Sequence, residues 1–389
     1  MRVKLGDIVE QIRGVSYNPS DLCESSEDGV ILLRANNIQN GEIVLDDVVY
    51  VSKEKIHDSQ YLKQGDILIC TSSGSKELVG KAAFINKDLR ATFGAFCKVV
   101  RPQKGYNNYI GHFFQSSYYR HTISAVSSGA NINNLRNEHI SDLEIPLPPL
   151  ETQRHIATVL DKVSALIALR RQQLDKLDEL VKSRFVEMFG TENDFDRWNC
   201  CRIGDVADIG VGVVIKPTQY YADEGIPAFR SLNVGEMHVN DYDWVYFTKE
   251  GHQKNQKSVI HRGDVLVVRS GAPGTACVAT EKYEGYNAVD IIIAHPDNRK
   301  VNSVFLAAFT NMPHGMNQIR AKTGGAAQQH FNVGGYKSMR LIMPSIELQN
   351  QFAAFVTQTE KTKAAVQQAL EKLETLKKAL MQEYFGGEV

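Results

Sequence analysis

The chain is poor in what would tie it to an oxidising compartment, a membrane or one sign of charge. Its six cysteines (Cys23, Cys70, Cys97, Cys200, Cys201, Cys277) include no Cys-x-x-Cys pair. Free thiols in a reducing cytosol are therefore expected, not a disulfide framework. Adjacent Cys200 and Cys201 read as small residues entering a strand. No window offers about 20 consecutive apolar residues, so no transmembrane helix is expected. The opening Met-Arg-Val-Lys-Leu-Gly-Asp has no apolar signal core, and a cytoplasmic location is the expectation. With 44 basic and 45 acidic residues the formal charge is −1. That balance argues against a protein that coats DNA unaided, though not against basic residues gathered on one face.

Catalytic signatures are missing as well. There is no Gly-x-x-x-x-Gly-Lys-Ser/Thr loop, no His-Glu-x-x-His and no Gly-x-Ser-x-Gly. Gly210-Val-Gly212 has no helical pattern behind it. Pro148-Pro149 lacks the preceding Asn or Asp and the following aromatic of amino-methyltransferase loops. No catalytic residue, no metal site and no bound cofactor are expected, so the chain reads as a non-enzyme.

What the chain has is a repeat. Pro-Leu-Pro-Pro-Leu-Glu-Thr-Gln at 146–153 opens a long helical stretch that stops at Phe189-Gly190. Pro344, Glu347 and Gln349 open another that stops at Phe385-Gly386. Gln349 follows Gln153, and Gly386 follows Gly190, by the same 196 positions. Ahead of the helical stretch in each copy, Leu5-Gly6-Asp7-Ile8 returns as Ile203-Gly204-Asp205-Val206. Residues 29–34 return as 225–230, Asn37 as Asn233, and Val49-Tyr50 as Val245-Tyr246. Gly65-Asp66-Ile67-Leu68 returns as Gly263-Asp264-Val265-Leu266. The offset drifts by two inside the blocks, as loops of diverged copies do.

Both helical stretches carry a seam. Leu160, Ile167, Leu174 and Val181 lie seven apart, with Val163, Leu166, Leu177 and Leu180 on the same side. Val366, Leu373 and Leu380 do the same, with Val356, Leu370 and Leu376 beside them. Apolar residues every seven positions make a narrow stripe that needs a partner helix. Proline before and glycine after are start and stop signals. About 38 residues make a rod of roughly 55 Å. The second helix leaves the second block with only the first helix to return along, so the pair should be antiparallel.

The expected division is 1–145, a first block; 146–190, a first spacer helix; 191–343, a second block; and 344–389, a second spacer helix. The fold class is α+β: two α/β domains separated by two long helices in an antiparallel coiled coil, with an internal pseudo-two-fold repeat. Short strands are expected at 30–34, 48–51, 66–70, 80–85 and 96–100, and again at 226–230, 243–247, 264–269, 276–280 and 290–294. Helices are expected at 109–122 and 304–320. Tyr109, Phe113 and Phe114, at helical spacing, should be core.

Each copy also has two glycine-bearing polar loops, at 71–76 and 127–136 and at 269–275 and 322–331. Arg forks onto guanine and Asn or Gln onto adenine, while Ser, Thr and backbone amides hold phosphates. Glycine lets a backbone approach closely. The candidate DNA contacts in the first copy are Arg34, Asn36, Asn37, Thr71, Ser72, Ser73, Lys76, Asn131, Asn133, Asn134 and Arg136. In the second they are Arg230, Ser231, Asn233, Arg269, Ser270, Lys322, Thr323, Gln328, Gln329 and His330.

The order of motifs resembles, over the whole chain, the DNA-specificity subunit of type I restriction–modification systems. The motifs that carry this are the Gly-Asp-Ile/Val-Leu strand of each block and the run from Ser-Gly-Ala-Asn-Ile-Asn-Asn-Leu into Ile145-Pro-Leu-Pro-Pro-Leu-Glu-Thr-Gln153. The second copy departs from the pattern. Met343-Pro-Ser-Ile-Glu-Leu-Gln349 lacks the double proline, and 324–331 is a loose version of the glycine loop. The resemblance implies that each block is a target-recognition domain and that the helices are a spacer. It implies double-stranded DNA and two methyltransferase subunits as partners, with motor–endonuclease subunits joining for cleavage. S-adenosylmethionine would belong to the methyltransferase, which usually modifies adenine N6. Two related readings stay open: an architectural protein whose coiled coil links two protein-binding domains, and an enzyme with a divergent site shared by the copies.

Overall fold

The computed structural model describes residues 2–75, 77–103, 107–128, 134–323 and 330–386. Two compact units emerge: Met1–Arg171 with Gln368–Val389, and Gln172–Gln367. Each unit thus holds one block and half of each long helix, Leu150–Phe189 and Ile346–Phe385, both 40 residues long.

In the first unit a four-stranded antiparallel sheet runs in the order Val9–Arg13, Cys97–Pro102, Ile67–Cys70, Ala82–Phe84. A second sheet runs Ala91–Phe93, Gly29–Leu33, Val49–Ser52, Leu22–Cys23, its first pair parallel and the others antiparallel. Arg2–Lys4 pairs with Glu144–Pro146 and so ties the block's first strand to the lead-in of the long helix. The second unit repeats all of this. Ala207–Val211, Ile291–Pro296, Val265–Val268 and Ala276–Val278 form the antiparallel sheet. Tyr221–Ala222, Val245–Phe247, Ile226–Phe229 and Asn287–Ala288 form the other, again with one parallel pair. Cys200–Arg202 closes on Arg340–Ile342.

The Gly-Asp-Ile/Val-Leu motif is a turn and an anchor. Gly65 and Gly263 sit at φ 95° and 89°, where a side chain would be strained. The next residue is a buried aspartate in each case. Asp66 accepts the Lys63 amide and both Nε and Nη2 of Arg101, all at 2.8 Å. Asp264 accepts the His261 amide and the ring of His295, both at 2.6 Å. A buried carboxylate is tolerable only when so satisfied. The strand that follows is buried along its whole length.

The helix expected at 109–122 is two helices, Asn107–Phe113 and Ser117–Ser128. Ser116 divides them, donating to the Phe113 carbonyl at 2.6 Å and accepting the Tyr119 amide at 3.1 Å. The counterpart at 304–320 is also two, Ser303–Asn311 and Pro313–Thr323. Pro313 has no amide to continue the first and suits the first turn of the second. Tyr109, Phe113 and Phe114 are core, as expected.

Within each unit the long helices run antiparallel. In the first, Arg171 pairs with Glu374 at 2.7 Å, while Ile156 and Leu160 share a core with Met381 and Phe385. In the second, Asp178 pairs with Lys363 at 2.6 Å, and Phe185 meets Phe352 edge-on at 5.4 Å. Leu160, Val163, Ile167, Val181, Val356, Val366 and Leu370 are buried, and Leu174, Leu177, Leu373 and Leu380 are half-buried. Leu166, Leu180 and Leu376 depart from the expectation: they are 43%, 46% and 47% exposed. A seam every seven residues is only about two positions wide, and these three stand outside it. The heptad reading also missed the phenylalanines at the helix ends. Phe385 packs 5.1 Å from Tyr109, and Phe185 stacks 5.8 Å from Phe305, fastening the end of the second helix to the first block and the end of the first helix to the second block. Among the described residues no helix is long and apolar enough to cross a membrane.

Candidate nucleic-acid interface

The two polar loops of each copy, some sixty residues apart in sequence, are joined edge to edge. Ser72 and Asn134 form an antiparallel β-bridge, and the Leu135 amide donates to the Thr71 carbonyl at 2.7 Å. In the second unit Ser270 bridges His330, and the Phe331 amide donates to the Arg269 carbonyl at 2.9 Å. The cause is local. The buried central strand runs out into the first loop, and an apolar residue of the second loop, Leu135 or Phe331, is buried beside it. The neighbouring polar residue is then held at the surface.

The second unit reinforces this junction. Arg269 is 8% exposed and reaches three groups. Its Nε donates to the Phe331 carbonyl at 3.2 Å, Nη1 to Asp290 at 2.7 Å and Nη2 to His330 Nε2 at 2.5 Å. With Nε2 accepting, the imidazole proton sits on Nδ1, which donates to the Ser270 hydroxyl at 2.6 Å. Arg269 is thus a clamp within the protein and not a free base reader. Thr71 is likewise buried, its hydroxyl donating to the Phe96 carbonyl at 3.1 Å.

Further expectations need correction. Thr323 is buried and bonds back to the Ile319 carbonyl at 3.0 Å, closing its own helix. Lys322 is exposed but donates to the Ser338 hydroxyl at 2.9 Å. Ser72, Ser73 and Ser270 are half-buried, and Asn134, Arg136 and His330 are exposed at the joined loops. Lys76, Asn131, Asn133, Gln328 and Gln329 lie outside the described residues.

A second polar cluster ends the Gly29–Leu33 and Ile226–Phe229 strands. Asn37 is buried: its Oδ1 accepts the Arg34 amide at 2.8 Å, and its Nδ2 donates to the carbonyls of Val44 and Asp47, both at 2.9 Å. Asn233 does the same with Arg230, Asn240 and Tyr242. These two asparagines are loop-builders, not contacts. They shape a turn that holds Arg34 against Asp47 at 3.1 Å and Arg230 against Asp243 at 3.0 Å. Asn36, exposed, also donates to Asp47 at 2.8 Å. Half-buried Ser231 follows Arg230. Nε of both Arg34 and Arg230 is buried with no protein partner. Sequence reading missed Asp47 and Asp243, although they too lie 196 positions apart.

Basic residues from four segments also line a cleft of about 1340 Å³ in the first unit: Lys81, Arg120, Arg171, Lys377 and Lys378. Burial lowers the Lys377 pKa, and its ammonium donates to Gln115 at 3.3 Å. Among the described residues no group of three or more His, Cys, Asp or Glu side chains is placed to hold a metal ion.

The family described as type I restriction modification DNA specificity domain matches the chain twice, over residues 1–179 and 196–375. The chain belongs to that family. Each match takes in one block and most of one long helix, so the family unit is the repeat seen in the sequence. Type I specificity subunits resemble this chain across nearly its whole length. The StySPI subunit of Salmonella potsdam is 28% identical over 97% of this chain and 86% of its own. The EcoKI subunit of Escherichia coli (strain K12) is 28% identical with the same coverage. Among solved structures, the type I S subunit from M. genitalium shares the fold, with a TM-score of 0.56 at 13% identity, over 100% of this chain and 96% of that one. A chain from a type I R-M system solved for complex assembly and conformational transition does so at a TM-score of 0.52 and 18% identity, over 100% of this chain and 98% of that one. This specificity chain is therefore a two-copy DNA-recognition subunit.

Proposed function

We propose that the chain reads a split, asymmetric DNA word. Residues 1–145 would read one half and 191–343 the other, and the spacer helices would hold the unread gap at fixed length. The observation that carries this reading is the repeated junction Ser72–Asn134 and Ser270–His330, which brings two polar loops together in each unit. Surface Ser, Asn, Arg and His there suit phosphates and base edges. The residues differ between copies, so the half-words should differ. Arg34, Asn36, Arg230 and Ser231 form the second group of candidate contacts in each unit.

The chain itself does no chemistry in this reading. Two methyltransferase subunits dock on it and bring S-adenosylmethionine, and motor–endonuclease subunits join for cleavage, all in the cytoplasm. The net charge of −1 fits such a division of labour, because partners then supply part of the phosphate-neutralising charge. Mapping methylated bases in the genome with and without this gene tests the reading. The expected result is a two-part motif with a constant gap that vanishes with the gene. A contiguous motif, or no change, would refute it.

A further inference from the structure

Two large apolar side chains stand in water, Phe96 at the joined loops of the first unit and Ile215 just beyond the Ala207–Val211 strand of the second. Phe96 is 70% exposed and Ile215 is 78% exposed, the highest values among the large hydrophobic residues that the structure describes. An exposed Phe or Ile forfeits the burial energy such side chains usually supply. Neither belongs to the long helices.

Phe96 is carried on firmly held backbone, and Ile215 lies two residues beyond a held one. The Phe96 carbonyl accepts the Thr71 amide at 2.9 Å, the Ser72 amide at 3.1 Å and the Thr71 hydroxyl at 3.1 Å. Its turn passes so near the neighbouring strand that a Cβ on Gly14 would lie 2.2 Å from the Gly94 carbonyl oxygen. Phe96 thus grows out of the Ser72–Asn134 junction itself. In the second unit Ile215 follows Val213, whose amide donates to Ala288 at 2.8 Å and whose carbonyl accepts the Asp290 amide at 3.2 Å. Asp290 in turn holds Arg269. A Cβ on Gly212 would lie 2.5 Å from the Ala288 carbonyl, so the chain is closely confined three residues before Ile215.

We propose that Phe96 and Ile215 are wedges, each inserting between adjacent base pairs of its own half-word while the polar loops grip the edges and phosphates. Apolar wedges unstack a base step and bend the duplex toward fuller contact. The proposal rests on the DNA-reading role above. Specificity then includes how easily one step in each half opens, at a position no polar side chain touches.

The test uses the full chain with its methyltransferase and a duplex carrying the mapped target, with 2-aminopurine placed at successive positions outside the methylated adenine. Binding should brighten the probe at one step in each half. Phe96→Ala should abolish the signal in the first half alone and weaken binding roughly tenfold. Ile215→Ala should do so in the second half alone, and Phe96→Leu should keep most of the signal. Each variant is judged on its own half-word. Unchanged fluorescence and affinity overturn the wedge, and so does a large fall in unfolding temperature, since an exposed side chain has little packing to lose. Failure of the parent complex to bind the split duplex would instead refute the DNA-reading role.

Discussion

Asp264 receives the His295 ring at 2.6 Å at the strand position where Asp66 receives the Arg101 guanidinium in the other copy. The hydrogen bond to Asp264 raises the His295 pKa, and burial opposes it less strongly. A raised histidine stabilises the fold fully below its unfolded value of about 6.5, and that stability is lost as pH climbs through the folded value. The second unit should therefore lose unfolding temperature as the pH climbs above about 6.5. His295→Arg should flatten this dependence, because a guanidinium stays charged. Scanning calorimetry across that range checks it, and an equal slope in the variant contradicts it.

Asn37 and Asn36 should separate cleanly. Asn37→Ala strands the carbonyls of Val44 and Asp47 and the Arg34 amide, at about 1–3 kcal/mol for each group left without a partner. Urea denaturation should show a large loss. Asn36→Ala, at an exposed site, should cost under about 0.5 kcal/mol yet weaken binding to the first half-word. Equal stability losses would undo the distinction.

Arg269→Lys keeps the charge but cannot reach Asp290, His330 and Phe331 together. It should destabilise by about 2 kcal/mol, less than a fully buried pair because Asp290 stays 38% exposed. Methylation mapping should show relaxed recognition of the second half-word and an intact first.

Under the proposed function, the exposed leucines on the rods are candidate contacts for the methyltransferase. Leu166→Glu and Leu376→Glu should leave the unfolding temperature nearly unchanged while reducing co-purification with the methyltransferase. Phe385→Ala, by contrast, opens a core and should cost about 3–5 kcal/mol. If the leucine variants unfold and still bind their partner, the surface has been misread.

A seven-residue insertion in both long helices lengthens each by about 10 Å, or about three base pairs of duplex. The mapped gap should grow accordingly, with both half-words retained. An unchanged gap would rule out the helices as a ruler.

The architecture was legible in the chain because it is written twice. Pairs such as Gln153 and Gln349, or Gly65 and Gly263, survive divergence since turns, caps and seams depend on local residue type. The heptads marked the rods for the same reason, but not which leucines would be covered, because a seam has a width that only the partner helix sets. Residue type in the loops was a poorer guide. Asn37, Thr71 and Arg269 look like DNA readers in one dimension, yet folding spends their hydrogen bonds on backbone and neighbours. The Ser72–Asn134 and Ser270–His330 contacts join residues some sixty positions apart, and Phe96 is left bare by the turn that carries it. The sequence alone determined the copies, the rods and their order, since these follow from local periodicity. Which polar groups remain unspent, and which apolar ones remain uncovered, only the tertiary structure decided, because both depend on what distant segments bring alongside.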